Sequence, residues 1–192
     1  MQEQIEQITQ QSRRAAEIIR RLRDFSRKSP PQRKLCDLHE LLQETVEMLS
    51  HELRRGDVSI ACDWGVVIPA IQGDAIQLQQ VFVNLLLNAR DALLEIPASL
   101  RRITIRSGYE LKYVVIDIED NGVGLSDEVA SRLFEPFVTT KPQGMGIGLS
   151  ICRSILQEHE GDISCQPLKT GGTRFRIRLA CPGQLETERN NQ

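Results

Sequence analysis

Aromatic residues, paired cysteines and long apolar runs are all scarce in this 192-residue chain. Aromatics make up 4% of it, so Leu, Ile and Val must fill the core. No apolar run approaches the roughly 20 residues of a membrane-spanning helix, and the polar stretch from Met1 to Gln11 does not resemble a secretory signal. No CxxC pair and no zinc-spaced histidine pair occur, which favours reduced thiols in a cytosolic protein. The five cysteines are Cys36, Cys62, Cys152, Cys165 and Cys181.

Charge is distributed unevenly along the chain. Residues 1–34 hold nine Lys or Arg against four Asp or Glu, a balance of +5. The net charge of the chain is -2, so the remaining residues carry a balance of -7. A basic segment can bind nucleic acid or an acidic partner, but it is more often a solvated helix face. With few aromatics and no recognisable nucleic-acid-binding module, we expect no nucleic-acid partner.

The first 28 residues contain neither glycine nor proline. Apolar and small residues recur there at alternating spacings of three and four, which predicts a helix with a coiled-coil seam that needs a partner helix. Prolines end this helix, so a first domain is expected at 1–30. A second domain is expected at 31–181, and the polar residues 182–192 are expected to be a disordered tail. The seam consists of Ile5, Ile8, Ser12, Ala15, Ile19, Leu22 and Ser26.

Three further helices are predicted. Asp37 is expected to cap a helix from about Leu38 to Arg55 that Gly56 closes, and Asp74 a helix from Ala75 to Glu95. The third runs from about Gly148 to Glu160.

Strand patterns lie between these helices. Residues 58–64 read as a strand, and residues 101–120 alternate with period two around a glycine-containing turn, as in an antiparallel hairpin. A second hairpin over 161–180 is expected to turn at Gly171-Gly172. Helices segregated from mostly antiparallel strands predict an α+β fold.

Two stretches carry polar groups beside apolar ones. Asn84 and Asn88 are four residues apart on one helical face, as a surface pair or as amide oxygens that ligate a hard cation such as Mg²⁺. The sequence DNGVGL, Asp120 to Leu125, follows an apolar strand. It fits a type I′ turn, and it also fits a close approach of a flat ligand to the backbone beside a carboxylate.

Two more stretches follow in the sequence. The first is LFEPFVTTK, residues 133–141, in which Phe134 and Phe137 are compatible with ordinary core residues. In GMGIGLSI, residues 144–151, three glycines lead into a helix, where backbone amides attract phosphate. The pattern is not GxxxxGK[ST], which excludes a P-loop, and it is not GxGxxG after a strand, which disfavours a dinucleotide-binding Rossmann site.

Taken in order over about 65 residues, the four stretches resemble the N, G1, F and G2 boxes of the histidine kinase ATP-binding domain. That domain belongs to the superfamily of DNA gyrase, Hsp90 and MutL. TGGTRFRIRLA, residues 170–180, resembles its closing hairpin, so the resemblance covers roughly residues 34–181. The short lid and RAAEIIRRLRDFSRK, residues 14–28, are similar to the FixL and NtrB type of sensor kinase.

The resemblance implies a two-layer α/β sandwich behind the long N-terminal helix, with a mixed sheet of about five strands and three helices on one face. Asp120 would take the adenine amine, with Gly124 near the base and Thr173 helping through water. Asn88 would ligate Mg²⁺, and Asn84 would face the phosphates.

The same resemblance makes Phe134 and Phe137 hinges of a lid over Thr139 to Met145, with Lys141 a candidate phosphate contact. Gly144, Gly146 and Gly148 would bring amides to the β- and γ-phosphates. The full implied ATP-binding set is Asn84, Asn88, Asp91, Asp120, Gly122, Gly124, Phe137, Thr140, Lys141, Gly144, Met145, Gly146, Ile147, Gly148, Leu149 and Thr173.

The implied activity is transfer of the ATP γ-phosphate to a histidine, and then to an aspartate of a response regulator receiver domain, by a kinase that is a homodimer at full length. Gyrase-like relatives carry a glutamate where this chain has Asn84, and an amide cannot act as a general base, which favours transfer over hydrolysis. The alternatives are a gyrase- or Hsp90-type ATPase and a nucleotide-binding pseudokinase. We expect no membrane contact by this segment, in a cytoplasmic protein or the cytoplasmic part of a membrane-bound sensor.

His51, in MLSHELRRGD, resembles a phosphoacceptor, but its position does not fit. Residues 1–28 resemble the second helix of the family's dimerisation hairpin. The family's histidine lies on the first helix of that hairpin, so the implied acceptor helix is missing here. The family motif has a proline five residues after the histidine, and this chain has Gly56. His51 also falls nearly opposite the apolar face of its helix. We therefore predict a solvated histidine, with no autophosphorylation by this chain alone and no catalytic residue in it.

Overall fold

The structure, a computed structural model, describes residues 32–65, 67–139, 141 and 145–181. The domain predictions for 1–30 and 182–192 lie outside the described residues. The strands are β1 (Lys34–Cys36), β2 (Ser59–Asp63), β3 (Ile71–Gly73), β4 (Arg102–Glu110), β5 (Tyr113–Asp120), β6 (Asp162–Pro167) and β7 (Thr173–Ala180). The helices are α1 (Leu38–Met48), α2 (Ser50–Arg55), α3 (Ala75–Leu93), α4 (Asp127–Arg132) and α5 (Gly148–Glu158), with a 3₁₀ turn at Ala98–Leu100.

Five strands form the main sheet in the order β2-β4-β5-β7-β6. β2 runs parallel to β4, and the other neighbours are antiparallel. The mixed five-stranded sheet with its helices confirms the expected α+β sandwich. β1 and β3 pair separately as a short antiparallel ribbon, which the sequence did not indicate.

Both helix caps are confirmed. The side chain of Asp37 accepts the amides of His39 and Glu40, and Asp74 does the same for Ile76 and Gln77. These bonds satisfy amides that lack a partner within the first helical turn.

The single helix expected from Leu38 to Arg55 is wrong, because the structure divides it at Leu49 into α1 and α2. Leu49 takes φ -86° and ψ 0°, outside regular helix geometry, although its amide still bonds to Thr45. One apolar face nonetheless persists across the break. The residues that form the apolar face expected opposite His51 are all buried: Leu38, Leu42, Thr45, Leu49 and Leu53.

The β4–β5 hairpin differs from the prediction in its turn. The connection is Leu111-Lys112, where Leu111 adopts φ 56°, and Gly108 lies within β4 instead of the turn. The second hairpin is confirmed, because the loop between β6 and β7 contains Gly171 and Gly172, both with positive φ.

Alternate residues along each central strand face the helices. Val114, Ile116 and Ile118 of β5 are buried on that face, and Asp120 follows them in phase at the strand end. α3 lies on β4 and β5 and contacts both α1 and α5. The opposite face carries ion pairs such as Arg176–Asp117 and Arg174–Glu119. Among the described helices, none combines the length and apolar character needed to cross a bilayer.

Candidate functional site

A buried carboxylate ends strand β5. Asp120 is 3% exposed, and its Oδ1 accepts the Gly122 amide at 2.9 Å. Burial raises the pKa of Asp120 to about 6, against the lowering effect of backbone hydrogen bonds from Gly122 and Thr173. The group is therefore largely ionised at neutral pH, and its oxygens can only accept hydrogen bonds.

Two glycines allow other backbone segments to close around Asp120. A Cβ on Gly172 would lie 2.0 Å from the Asp120 carbonyl oxygen, and Gly172 has φ +91°. A Cβ on Gly122 would lie 2.7 Å from the carbonyl oxygen of Ala92, at the end of α3. The predicted Gly124 is also placed here, next to Gly172. The absence of side chains at these glycines lets the backbone segments pack closely around Asp120.

A second cluster lies along α3, one residue before Ala92. The Lys141 ammonium donates to Asn88 Oδ1 at 2.9 Å and to Asp91 Oδ2 at 2.6 Å. Arg90 holds the other oxygen of Asp91, with Nη2 at 2.6 Å, and reaches Glu52 Oε2 of α2 at 3.3 Å. Burial by itself would raise the pKa of Asp91, but hydrogen bonds from Lys141 and Arg90 hold it below its usual value.

The donor set of this cluster suits a hard cation. An ammonium already lies on one amide oxygen and one carboxylate oxygen, which are ligands that Mg²⁺ prefers. No group of three His, Cys, Asp or Glu side chains in the described part of the chain could form a metal cage. Mg²⁺ commonly takes one or two protein oxygens and completes its shell with water and phosphate.

Asn84 joins α3 to the start of α5. A Cβ on Gly148 would lie 3.2 Å from Asn84 Oδ1, and the Cys152 thiol of α5 donates to the Val81 carbonyl of α3. Burial raises the pKa of Cys152 to about 12, so that thiol is neutral. The amide thus lies beside the first turn of α5, which is the end of a helix that attracts phosphate.

The two phenylalanines behave differently. Phe134 is half-buried against the core, with the Arg153 guanidinium 5.9 Å from its ring centre. Phe137 is 77% exposed with φ 69°, and its amide donates to the Gly146 carbonyl at 2.9 Å. Phe137 therefore does not belong to the core, and its hinge role stays a prediction.

The remaining predicted residues lie within the glycine-rich stretch or shortly before it. Ile147 and Leu149 are half-buried against the core, and Met145 is half-buried. Thr140 and Gly144 lie outside the described residues, so the predicted lid over Thr139 to Met145 is described only at Thr139, Lys141 and Met145.

Sequence reasoning missed three features around the site: the contacts of Asn121, the link between two helices, and a thiol near Asp120. Asn121 is no hairpin turn, since β5 leads on to α4; its side chain accepts the Arg102 amide at 2.8 Å and donates to the Leu100 carbonyl at 2.7 Å. The Arg90–Glu52 link depends on packing between α2 and α3, which no local pattern encodes. Burial, and then the charge of Asp120, raise the pKa of Cys165 to about 12, which places a neutral thiol near that carboxylate.

Comparison with known proteins gives consistent relatives. Residues 73–183 match the family model described as "Histidine kinase-, DNA gyrase B-, and HSP90-like ATPase". The C4-dicarboxylate transport sensor protein DctS of Rhodobacter capsulatus is 40% identical over 95% of this chain, which spans 28% of that relative. The catalytic domain of histidine kinase ThkA superposes with a TM-score of 0.69 at 27% identity, over 78% of this chain and 95% of that one. ThkA in complex with the response regulator protein TrrA gives 0.75 at 25% identity, over 90% of this chain and 49% of that one.

Proposed function

This chain belongs to the family of histidine kinase-, DNA gyrase B- and HSP90-like ATPases, and on that premise we propose that it binds ATP with Mg²⁺ within a two-component sensor histidine kinase. The γ-phosphate would pass to a histidine on a dimerisation helix outside this chain, and then to an aspartate of a response regulator. The full-length kinase would be a homodimer, and the part of it that this chain forms would be cytoplasmic. The observation that carries the proposal is the buried carboxylate of Asp120 at the end of β5.

The base end of the site selects by hydrogen-bond chemistry. One oxygen of Asp120 is held by the Gly122 amide, and the carboxylate offers acceptors only. The exocyclic amine of adenine satisfies it, whereas the carbonyl of guanine would repel it. Gly122 and Gly172 have no side chains, and this lets the backbone pack closely around the carboxylate and hold it in place.

The phosphate end lies along α3 and the start of α5. Bound Mg²⁺ would supply charge neutralisation between phosphate oxygens. Asn88 would provide a protein oxygen for it, as the ammonium of Lys141 in that place indicates. Gly148 begins α5 beside Asn84 without a side chain, so its first-turn amides stay accessible to phosphate.

The described site contains no base to activate water at the Asn84 position. Asn84 is an amide, so it cannot take a proton from water. This supports transfer to a protein side chain over the gyrase- or Hsp90-type hydrolysis that remains the second candidate.

Nucleotide binding tests the base end. We expect ATP to bind far more tightly than GTP, and Asp120→Asn to weaken ATP by about 1–3 kcal/mol, or roughly fivefold to 150-fold. Asp117→Asn is the matched control, because Asp117 lies on the same strand but on the opposite face, paired with Arg176. Equal affinity of the unaltered protein for ATP and GTP would contradict the assignment.

The Mg²⁺ dependence of the same binding tests the phosphate end. Asn88→Ala should remove most of the gain in ATP affinity that Mg²⁺ gives, and should slow phosphate transfer to an added histidine-bearing helix domain. A melting temperature equal to that of the unaltered protein would show that the fold of the variant survives. A Mg²⁺ response identical to that of the unaltered protein would exclude Asn88 as a ligand.

A further inference from the structure

Lys141 occupies a specific place on α3. Its ammonium bridges the neutral oxygen of Asn88 and the charged oxygen of Asp91, at 2.9 and 2.6 Å. Arg90 occupies the other carboxylate oxygen, so Asp91 is shared between two cations. Arg90 is in turn fixed to Glu52, which limits its freedom to take over both oxygens.

We propose that Asp91 is a positioning residue that holds the Lys141 ammonium on the Asn88 oxygen in the ligand-free protein, so that this lysine and a divalent metal compete for one place. The inference rests on the proposed function, in which Asn88 is the metal ligand. It assigns Asp91 and Lys141 a joint role: the lysine is a resident cation that an incoming metal displaces.

Simple electrostatics makes the two occupants exclusive. A metal on Asn88 Oδ1 would lie within about 4–5 Å of an ammonium still bonded to the same oxygen, where like charges repel. Lys141 therefore has to leave when a metal arrives. Its released Nζ then becomes available to an anion, and the phosphates that accompany the metal are the anion at hand.

The ordinary alternative is a surface ion pair without consequence. Lys141 is 41% exposed and Asp91 is 31% exposed, values at which many ion pairs contribute little. The two interpretations differ in one measurable respect. An inconsequential pair leaves metal affinity unchanged when the lysine is removed, whereas a competing cation holds that affinity down.

Titration of Mn²⁺ into the full chain without nucleotide, followed by electron paramagnetic resonance, tests the competition. Lys141→Gln should bind Mn²⁺ roughly 1.5-fold to fivefold more tightly than the unaltered protein, the range for loss of one part-exposed ion pair. Lys141→Gln with Asp91→Asn should lose that gain. Lys34→Gln on β1 is the matched control, with the same change of charge on another element, and should show no gain. Equal Mn²⁺ affinity for Lys141→Gln and the unaltered protein would overturn the proposal.

A second measurement needs no variant at Lys141. Saturating Mn²⁺ should speed the acetylation of Lys141 by an amine-reactive reagent, read by mass spectrometry, while Lys34 reacts at a constant rate. Acetylation of Lys141 that ignores Mn²⁺ would likewise overturn the proposal. Binding of an ATP analogue is measured on the same samples: its absence contradicts the proposed function, whereas its presence with an unchanged Mn²⁺ affinity contradicts only the role of Lys141.

Discussion

Asp120 and Asp91 are carboxylates at the two ends of one candidate site, and the fold shifts their pKa values in opposite directions. Asp120 is 3% exposed and accepts only neutral backbone amides, so burial dominates and raises its pKa to about 6. Asp91 is also partly buried, but Lys141 and Arg90 reverse the effect and lower its pKa. The ionised carboxylate is therefore destabilised by burial at Asp120 and stabilised by two cations at Asp91.

The difference bears on what each end would receive under the proposed function. A buried carboxylate without a cation is satisfied when a ligand brings a hydrogen-bond donor, as an adenine amine does. A carboxylate with a cation in place is satisfied before any ligand arrives, and a ligand must exchange with that cation. Under the proposed function, the base would supply a donor to a carboxylate that lacks a cation, whereas the metal and phosphate would replace a cation that is already bound.

Gly172→Ala should break the base end with the largest effect. Its Cβ would lie 2.0 Å from the Asp120 carbonyl oxygen, in a backbone with φ +91°, so β5 and β7 must separate there. We expect a loss of about 3 kcal/mol or more in the free energy of unfolding, measured by urea denaturation. Gly171→Ala is the control, since Gly171 has a similar φ of +89° but its nearest atom is 3.9 Å away. Equal losses for the two variants would show that φ, and not the close approach to Asp120, is what matters.

Asp120→Asn should sharpen the comparison, because it is expected to stabilise the ligand-free protein. The amide keeps an acceptor for Gly122 and removes a buried charge, for a gain of about 1–3 kcal/mol at pH 7.5. The folded pKa of about 6 exceeds the usual 3.8, so the unaltered protein takes up a proton and gains stability as pH falls through 6 toward 4. Thermal melts should show the advantage of the variant shrinking over that window. A variant less stable than the unaltered protein at pH 7.5 would contradict the account of Asp120.

Asp91→Asn should have the opposite sign and a smaller size. Its lowered pKa means that Asp91 contributes stability above its unfolded pKa and loses it as pH falls through the lower folded value. Because Asp91 and Lys141 are 31% and 41% exposed, we expect a loss of at most about 1 kcal/mol at pH 7.5, reduced further by 1 M salt. Melts at low and high salt measure this, and a gain in stability would refute the opposition between the two carboxylates.

His51→Gln should change nothing measurable at either end. His51 is 75% exposed and its nearest charged partner, Glu52, is 3.9 Å away. Incubation with labelled ATP should leave both this chain and the variant without stable phosphohistidine, and their melts should coincide within about 0.5 kcal/mol. Label that appears on the unaltered chain and disappears in the variant would make His51 the acceptor.

Local patterns predicted the elements that hold the site, because they depend on neighbours in sequence. The Asp37 and Asp74 caps, the buried face from Leu38 to Leu53 and the Gly171-Gly172 turn are each decided within a few residues. The strand alternation that buries Val114, Ile116 and Ile118 also carries Asp120 to the helix side. Local reasoning failed at the Leu49 break and the Leu111-Lys112 turn, where packing overrides propensity.

By itself the sequence determined the order of the boxes, the α+β class and the residue types that each end of the site would need. Only the tertiary structure decided that Asp120 would be desolvated while Asp91 would be ion-paired, since a pKa depends on what lies around a carboxylate and not on its neighbours in the chain. The partner of Asn88 was decided in the same way. Lys141 is 53 residues further along, and only the fold places its ammonium on that oxygen.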